Sequence, residues 1–235
     1  MSKAVKTSWI SIAGGAGRYD AYLALPPAGE GPGLVLVQEI FGVNEHIRDV
    51  AEQYALDGFV VLAPDVFWQQ QARVDLGYAG DDYQRAIALM SRADRPGLLR
   101  DLGDSVAALR SRPEVSGRRV GALGYCLGGR MAYLAAAFHG VDAAVAYYGG
   151  GIHDQLDLAP KITCPMMFHY GEIDANIPLE AVDKVRAAFA DKPAQVFVYP
   201  QAHHGFNCWA RSAYHPASAA LAHGRTLEFL AQTLY

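Results

Sequence analysis

Hydrophobic positions along this chain fall into two kinds of run. Leu34 to Val37, Phe59 to Ala63, Val120 to Leu123, Ala143 to Tyr148, Pro165 to Tyr170 and Gln195 to Tyr199 are short and bounded by turn residues. Most are apolar throughout, the pattern of parallel strands buried on both faces. Between them the spacing turns helical. Asn44 can cap a helix with Ile47, Val50, Ala51 and Tyr54 on one face, and Gly58 ends it. Leu98 to Arg110, Met131 to Phe138, Val182 to Phe189 and Ala217 to Leu234 predict further helices. Trp9 to Ile12 and Tyr19 to Leu25, separated by Gly14, Gly15 and Gly17, predict two antiparallel edge strands. The segment from Pro64 to Arg95 is irregular, polar and aromatic, with helical spacing only over Tyr83 to Met90, and reads as a lid or substrate-facing loop. Strands alternating with helices predict an α/β fold of the doubly wound kind. Its sheet is mostly parallel, its helices cover both faces, and its functional groups gather at strand C-terminal ends.

Composition narrows the function classes. A chain of 235 residues, 51% hydrophobic, is sized for one α/β domain spanning 1–235. Its formal charge of −4, with no cluster of lysine and arginine, argues against a nucleic-acid partner and for a small-molecule one. Cys126, Cys164 and Cys208 are odd in number and lack Cys-x-x-Cys spacing, which suits a reducing compartment. Met1 to Trp9 lacks the apolar stretch of a signal peptide, and no run reaches transmembrane length, so cytoplasm is the expected location, with no membrane partner. A monomer is expected.

The chemistry centres on Gly124-Tyr125-Cys126-Leu127-Gly128-Gly129, between the strand-like Val120 to Leu123 and the helix-like Met131 to Phe138. A Gly-x-nucleophile-x-Gly turn from strand to helix is a nucleophile elbow, with cysteine where serine is commoner. The glycines let strand and helix approach while the central residue takes a strained backbone. Such a turn exposes Cys126 and leaves the Leu127 N–H at a helix start, able to donate to an oxyanion. An acid and then a histidine should follow in chain order. Asp174 sits in the turn Gly171-Glu172-Ile173-Asp174 after one strand, and His204 in Ala202-His203-His204-Gly205-Phe206 after the next. The histidine would move protons and the aspartate would fix its tautomer. Glu172 and His203 remain rivals one or two places away. No second ligand pair accompanies His203-His204, so no metal is expected.

With these residues in place the chain resembles the dienelactone hydrolase (carboxymethylenebutenolidase) family of α/β-hydrolases. The resemblance rests on Gln38-Glu39-Ile40-Phe41-Gly42 with Asn44, His46-Ile47-Arg48-Asp49-Val50, the cysteine elbow, Tyr147-Tyr148-Gly149 and His204-Gly205-Phe206. It implies Cys126, Asp174 and His204 as the triad. It also implies that Glu39 contacts the resting thiol and swings on substrate binding to accept its proton. Ile40 would supply the second oxyanion N–H beside Leu127. Family substrates carry a carboxylate, for which Arg85 is the expected cation. The position of a second family arginine is occupied here by Cys208, so Arg211, near Tyr214, is the substitute. Tyr148 and Phe41, with Tyr125 and Phe206, would line the mouth. Trp68 and Trp209 have no assigned role.

The reaction so implied opens an enol-lactone or ester, of the dienelactone-to-maleylacetate type, through a thioester on Cys126 and without a cofactor. Alternatives are a broad-specificity carboxylesterase and, from another class, a non-catalytic hydrolase-fold module that binds a small ligand or senses oxidation.

Overall fold

The structure, a computed structural model, describes residues 4–235; Met1 to Lys3, the start of the segment read above as lacking a signal peptide, lie outside the described residues. An eight-stranded sheet has the order β1 (Lys6–Gly14), β2 (Gly17–Leu25), β4 (Val60–Pro64), β3 (Gly33–Val37), β5 (Val120–Tyr125), β6 (Ala143–Tyr147), β7 (Met166–Gly171), β8 (Ala194–Tyr199). Pairing is antiparallel for β1-β2 and β2-β4, and parallel for β3-β4, β6-β7 and β7-β8. The described residues cluster into two compact units, divided after Gly121.

The first unit opens with β1 (Lys6–Gly14) and β2 (Gly17–Leu25), the antiparallel pair anticipated from the glycine turn, with Gly14 opposite Gly17. β3 (Gly33–Val37) and β4 (Val60–Pro64) are buried at every position, as uninterrupted apolar runs require. Between them α1 (Glu45–Leu56) begins where Asn44 Oδ1 accepts the Ile47 N–H at 3.2 Å, and it packs on β2 and β4. The other end of the Asn44 amide donates to the Leu76 carbonyl at 3.0 Å, so the helix cap also anchors a distant loop. α2 (Gly80–Ser91) and α3 (Arg95–Arg110) follow, the latter against β1, β3 and β4.

The irregular stretch between β4 and α2 is pinned at identifiable points. Trp68 stacks on Tyr19, with ring centroids 5.6 Å apart, and its Nε1–H donates to Asp101 Oδ2 at 2.7 Å. Asp65, almost fully buried, accepts the backbone N–H groups of Phe67 and Arg73. Burial pushes its carboxyl up to about 6, although those two N–H bonds pull the other way. Gly42, at φ +86°, passes so close to Val74 that a Cβ would sit 1.8 Å from its carbonyl oxygen; only glycine fits there.

β5 (Val120–Tyr125) leads into the second unit and is followed by α4 (Leu127–Phe138), β6 (Ala143–Tyr147), β7 (Met166–Gly171), α5 (Leu179–Ala188), β8 (Ala194–Tyr199) and α6 (Pro216–Leu234). α4 packs on β6, and α6 on β6 and β7. A buried polar chain joins α6 to the strands: Thr226 Oγ1 meets the Tyr147 hydroxyl at 2.7 Å and His169 Nε2 at 3.0 Å, and His169 Nδ1 meets the Tyr199 hydroxyl at 2.9 Å. Burial pushes the His169 imidazole down to about 3, with Arg225 adding to the effect, so the ring is neutral in this network. Within each unit the catalytic candidates then stand at or just beyond strand C-terminal ends.

Candidate active site

β5 ends in a turn held by two close approaches. A Cβ on Gly124 would lie 2.2 Å from the Gly128 carbonyl group, and one on Gly129 would lie 2.5 Å from the Tyr147 carbonyl oxygen. Between them Cys126 takes φ +55° and ψ −111°, a conformation that costs energy for any residue with a side chain. Its N–H donates to the Tyr147 carbonyl at 3.0 Å, and its own carbonyl accepts from the Arg130 N–H at 3.2 Å. The strained residue is thus fixed at both its N–H and its carbonyl, and it is partly exposed. Leu127 is the first residue of α4, where the helix itself offers its N–H no partner.

The two loops after β7 and β8 are stitched together. The Glu172 N–H donates to the Tyr199 carbonyl at 2.9 Å and the Ile173 N–H to the Ala202 carbonyl at 3.1 Å. Glu172 Oε2 in turn accepts the Gln201 N–H at 2.9 Å. This brings Asp174 Oδ2 to 2.8 Å from His204 Nδ1, with the Asp174 side chain wholly buried. Asp174 Oδ1 accepts the Asn176 N–H at 2.8 Å, which fixes the carboxylate plane. With Nδ1 directed at the acid, Nε2 is the nitrogen left for sulfur, and His204 does hydrogen-bond Cys126. Burial of the ring opposes its protonation, but the bonds and charges of Asp174 and Cys126 outweigh that and push His204 up to about 10.

This geometry separates the rivals left open above. Glu172 is spent on the loop staple, and the His203 side chain is exposed, whereas Asp174 and His204 face each other. Tyr148, also at positive φ, is buried with its ring centroid 5.0 Å from that of His204 and 5.5 Å from that of Phe206, so it walls the imidazole. Arg211 lies over Gly205, next in sequence to His204: a Cβ on that glycine would come within 2.6 Å of a guanidinium nitrogen. Trp209 is 42% exposed.

In the first unit, Gln38, Glu39 and Ile40 follow directly on β3, with Gln38 and Glu39 buried. Phe41 is buried against Tyr78, ring centroids 4.6 Å apart, and its carbonyl accepts the Leu76 N–H at 3.0 Å. Arg85 is exposed on α2. It donates to Gln71 Oε1 at 3.2 Å, stands 3.9 Å from Asp82, and lines a shallow cavity of about 210 Å³ with Gln70, Leu89 and Arg92. The loop staple of Glu172 and the anchoring of Trp68 have no local signal in the sequence, because each partner lies far along the chain. Among the described residues no group of three or more His, Cys, Asp or Glu side chains could hold a metal ion, and no helix is long and apolar enough to cross a membrane.

Known proteins resemble this chain over nearly its whole length. The model of the dienelactone hydrolase family matches residues 19–234. A carboxymethylenebutenolidase of Pseudomonas sp. strain P51 is 38% identical, with 95% of this chain and 94% of that protein covered. A protein of Azospirillum brasilense, provisionally named a carboxymethylenebutenolidase, is 39% identical over 96% of this chain and 98% of its own length. Among solved structures, one provisionally named dienelactone hydrolase from Klebsiella pneumoniae superposes with a TM-score of 0.87 at 32% identity, covering 97% of this chain and 99% of that one. Because the family model spans nearly the whole chain and its relatives match it from end to end at more than 30% identity, this chain belongs to the dienelactone hydrolase family and is a hydrolase with the α/β-hydrolase fold.

Proposed function

We propose that the protein opens enol-lactones or activated esters through a thioester on Cys126, with maleylacetate-like products from dienelactone-type substrates. The observation that carries this is the bond of His204 Nδ1 to Asp174 at 2.8 Å in a ring that also bonds the elbow cysteine. Asp174 favours the protonated form of His204, so the ring can stand as an imidazolium beside a thiolate. Glu39 takes the thiol proton when substrate arrives, and the imidazolium faces the resulting thiolate. Sulfur attacks the lactone carbonyl, and the oxyanion is held by the N–H groups of Leu127 and Ile40. Collapse breaks the ring C–O bond, and the leaving enolate takes the proton of His204. The now neutral imidazole draws a proton from water, the hydroxide attacks the thioester, and the carboxyl product departs. The released thiolate recovers its proton from Glu39. A thiolate is a better leaving group than an amine, so the intermediate suits lactones and esters over peptides.

Arg211 and Arg85 serve the carboxylate of an anionic substrate, and Tyr148 and Phe41 its apolar body. Residues 1–235 are read as a single hydrolase domain, working as a monomer in the cytoplasm, where the free thiols of Cys126, Cys164 and Cys208 stay reduced. The test is turnover of an enol-lactone and a chromogenic short-chain ester by three variants. Cys126→Ala should lose at least a thousandfold in kcat while remaining folded, on the order seen when a nucleophile is removed. Cys164→Ala and Cys208→Ala should stay near wild type. Near-normal turnover in Cys126→Ala rules the mechanism out.

A further inference from the structure

Gln38 is the first residue after β3, and its side chain is fully buried. Its Nε2 donates to the carbonyl of Glu39 at 3.3 Å, while its Oε1 has no hydrogen-bond partner among the described residues. A buried amide with half its bonding capacity unmet is costly, and an apolar side chain of the same length would fill the space without that cost. Packing therefore gives no reason for glutamine here, and its one hydrogen bond does. The amide orientation follows from the same contact: turned over, it would set Oε1 against the Glu39 carbonyl oxygen, two acceptors facing each other.

The acceptor matters because of what shares its peptide. The Glu39 carbonyl and the Ile40 N–H belong to one planar unit, so whatever fixes the direction of one fixes the other. Downstream, the segment is anchored by the Phe41 carbonyl on the Leu76 N–H and by the close passage of Gly42 past Val74. Upstream it is anchored by β3. Between these points we propose that Gln38 is a positioning residue: its amide latches the Glu39–Ile40 peptide plane so that the Ile40 N–H stays directed at the developing oxyanion. A hydrogen bond to a carbonyl also polarises the peptide, which makes its N–H a stronger donor. A free peptide could rotate and present its carbonyl to the oxyanion instead, which would repel the charge it should stabilise. The inference rests on the reading of Ile40 as the second oxyanion donor.

Gln38→Met removes the donor and the unmet acceptor at similar volume. The expected result is a melting temperature equal to or above that of wild type, a kcat for a neutral ester reduced about tenfold or more, and a KM changed by less than about threefold. Alkylation of Cys126 by iodoacetamide passes through no oxyanion, so its rate should match wild type. Gln38→Glu keeps the shape and donates only while protonated, so its kcat should fall as pH rises through that titration, a slope absent from wild type; this variant reads the position even where the methionine variant fails to fold. A Gln38→Met kcat within twofold of wild type, or a Gln38→Glu profile superimposable on wild type, overturns the latch, as does loss of alkylation in step with turnover. Ile40→Pro deletes the N–H itself and separates the two ideas. Turnover retained in Ile40→Pro refutes the donor role, whereas turnover lost there but kept in Gln38→Met refutes only the latch.

Discussion

His204 lies between an acid and a thiol, and its proton affinity records that position. Against an ordinary value of 6.5 it stands at about 10 because bonds to Asp174 and Cys126 outweigh the burial that opposes them. A histidine raised on folding contributes stability that is complete below its unfolded value and lost as pH rises through its folded one. The melting-temperature gap between wild type and His204→Gln should therefore be widest below pH 6.5 and should close above pH 10. A gap constant over that range contradicts the assigned surroundings. At this scale the sequence is partly legible. Chain order after an elbow names an acid and a histidine, but Glu172 and Asp174 share one turn and His203 and His204 are adjacent. Only side-chain direction distinguishes them, and direction depends on contacts between two loops that lie about thirty residues apart.

The elements were readable where one period dominates a run. β3 and β4 are continuous apolar stretches and α1 carries its own cap, so local pattern and final structure agree. The stretch between β4 and α2 is different, because its order comes from Trp68 reaching Asp101, Asp65 holding Arg73, and Asn44 bonding Leu76. None of those pairs has a short-range signature. The same holds for the staple between the loops after β7 and β8, where one carboxylate oxygen accepts the Gln201 N–H at 2.9 Å while Gln201 takes φ +55°. Glu172→Ala should loosen the register of Asp174 against His204 and lower kcat about tenfold with little change in KM, by the loss of orientation. Glu172→Gln keeps an acceptor and should recover most of the rate. Equal rates in all three proteins would reduce the staple to a surface contact.

For the whole molecule, the family makes the chain a hydrolase, and the proposed choice of an anionic substrate rests on two cations. Arg211 stands beside the histidine turn, and a guanidinium binding a carboxylate in a sheltered place contributes about 1.5–3 kcal/mol. Arg211→Ala should then raise KM about tenfold or more for a lactone bearing a carboxylate and hardly at all for its methyl ester. The exposed Arg85, already bonded to Gln71, should show a smaller effect of the same sign. Equal losses on both substrates would remove the anion-binding role and favour a broad carboxylesterase. The proposed acyl-enzyme on Cys126 is tested most directly by rapid-quench intact-mass analysis followed by peptide mapping. On mixing with an activated ester, the protein should gain the mass of one acyl group within the first turnover, on the peptide containing Cys126, and the gain should be absent from Cys126→Ala. An adduct mapping to Cys164 or Cys208, or undiminished turnover by Cys126→Ala, would contradict it.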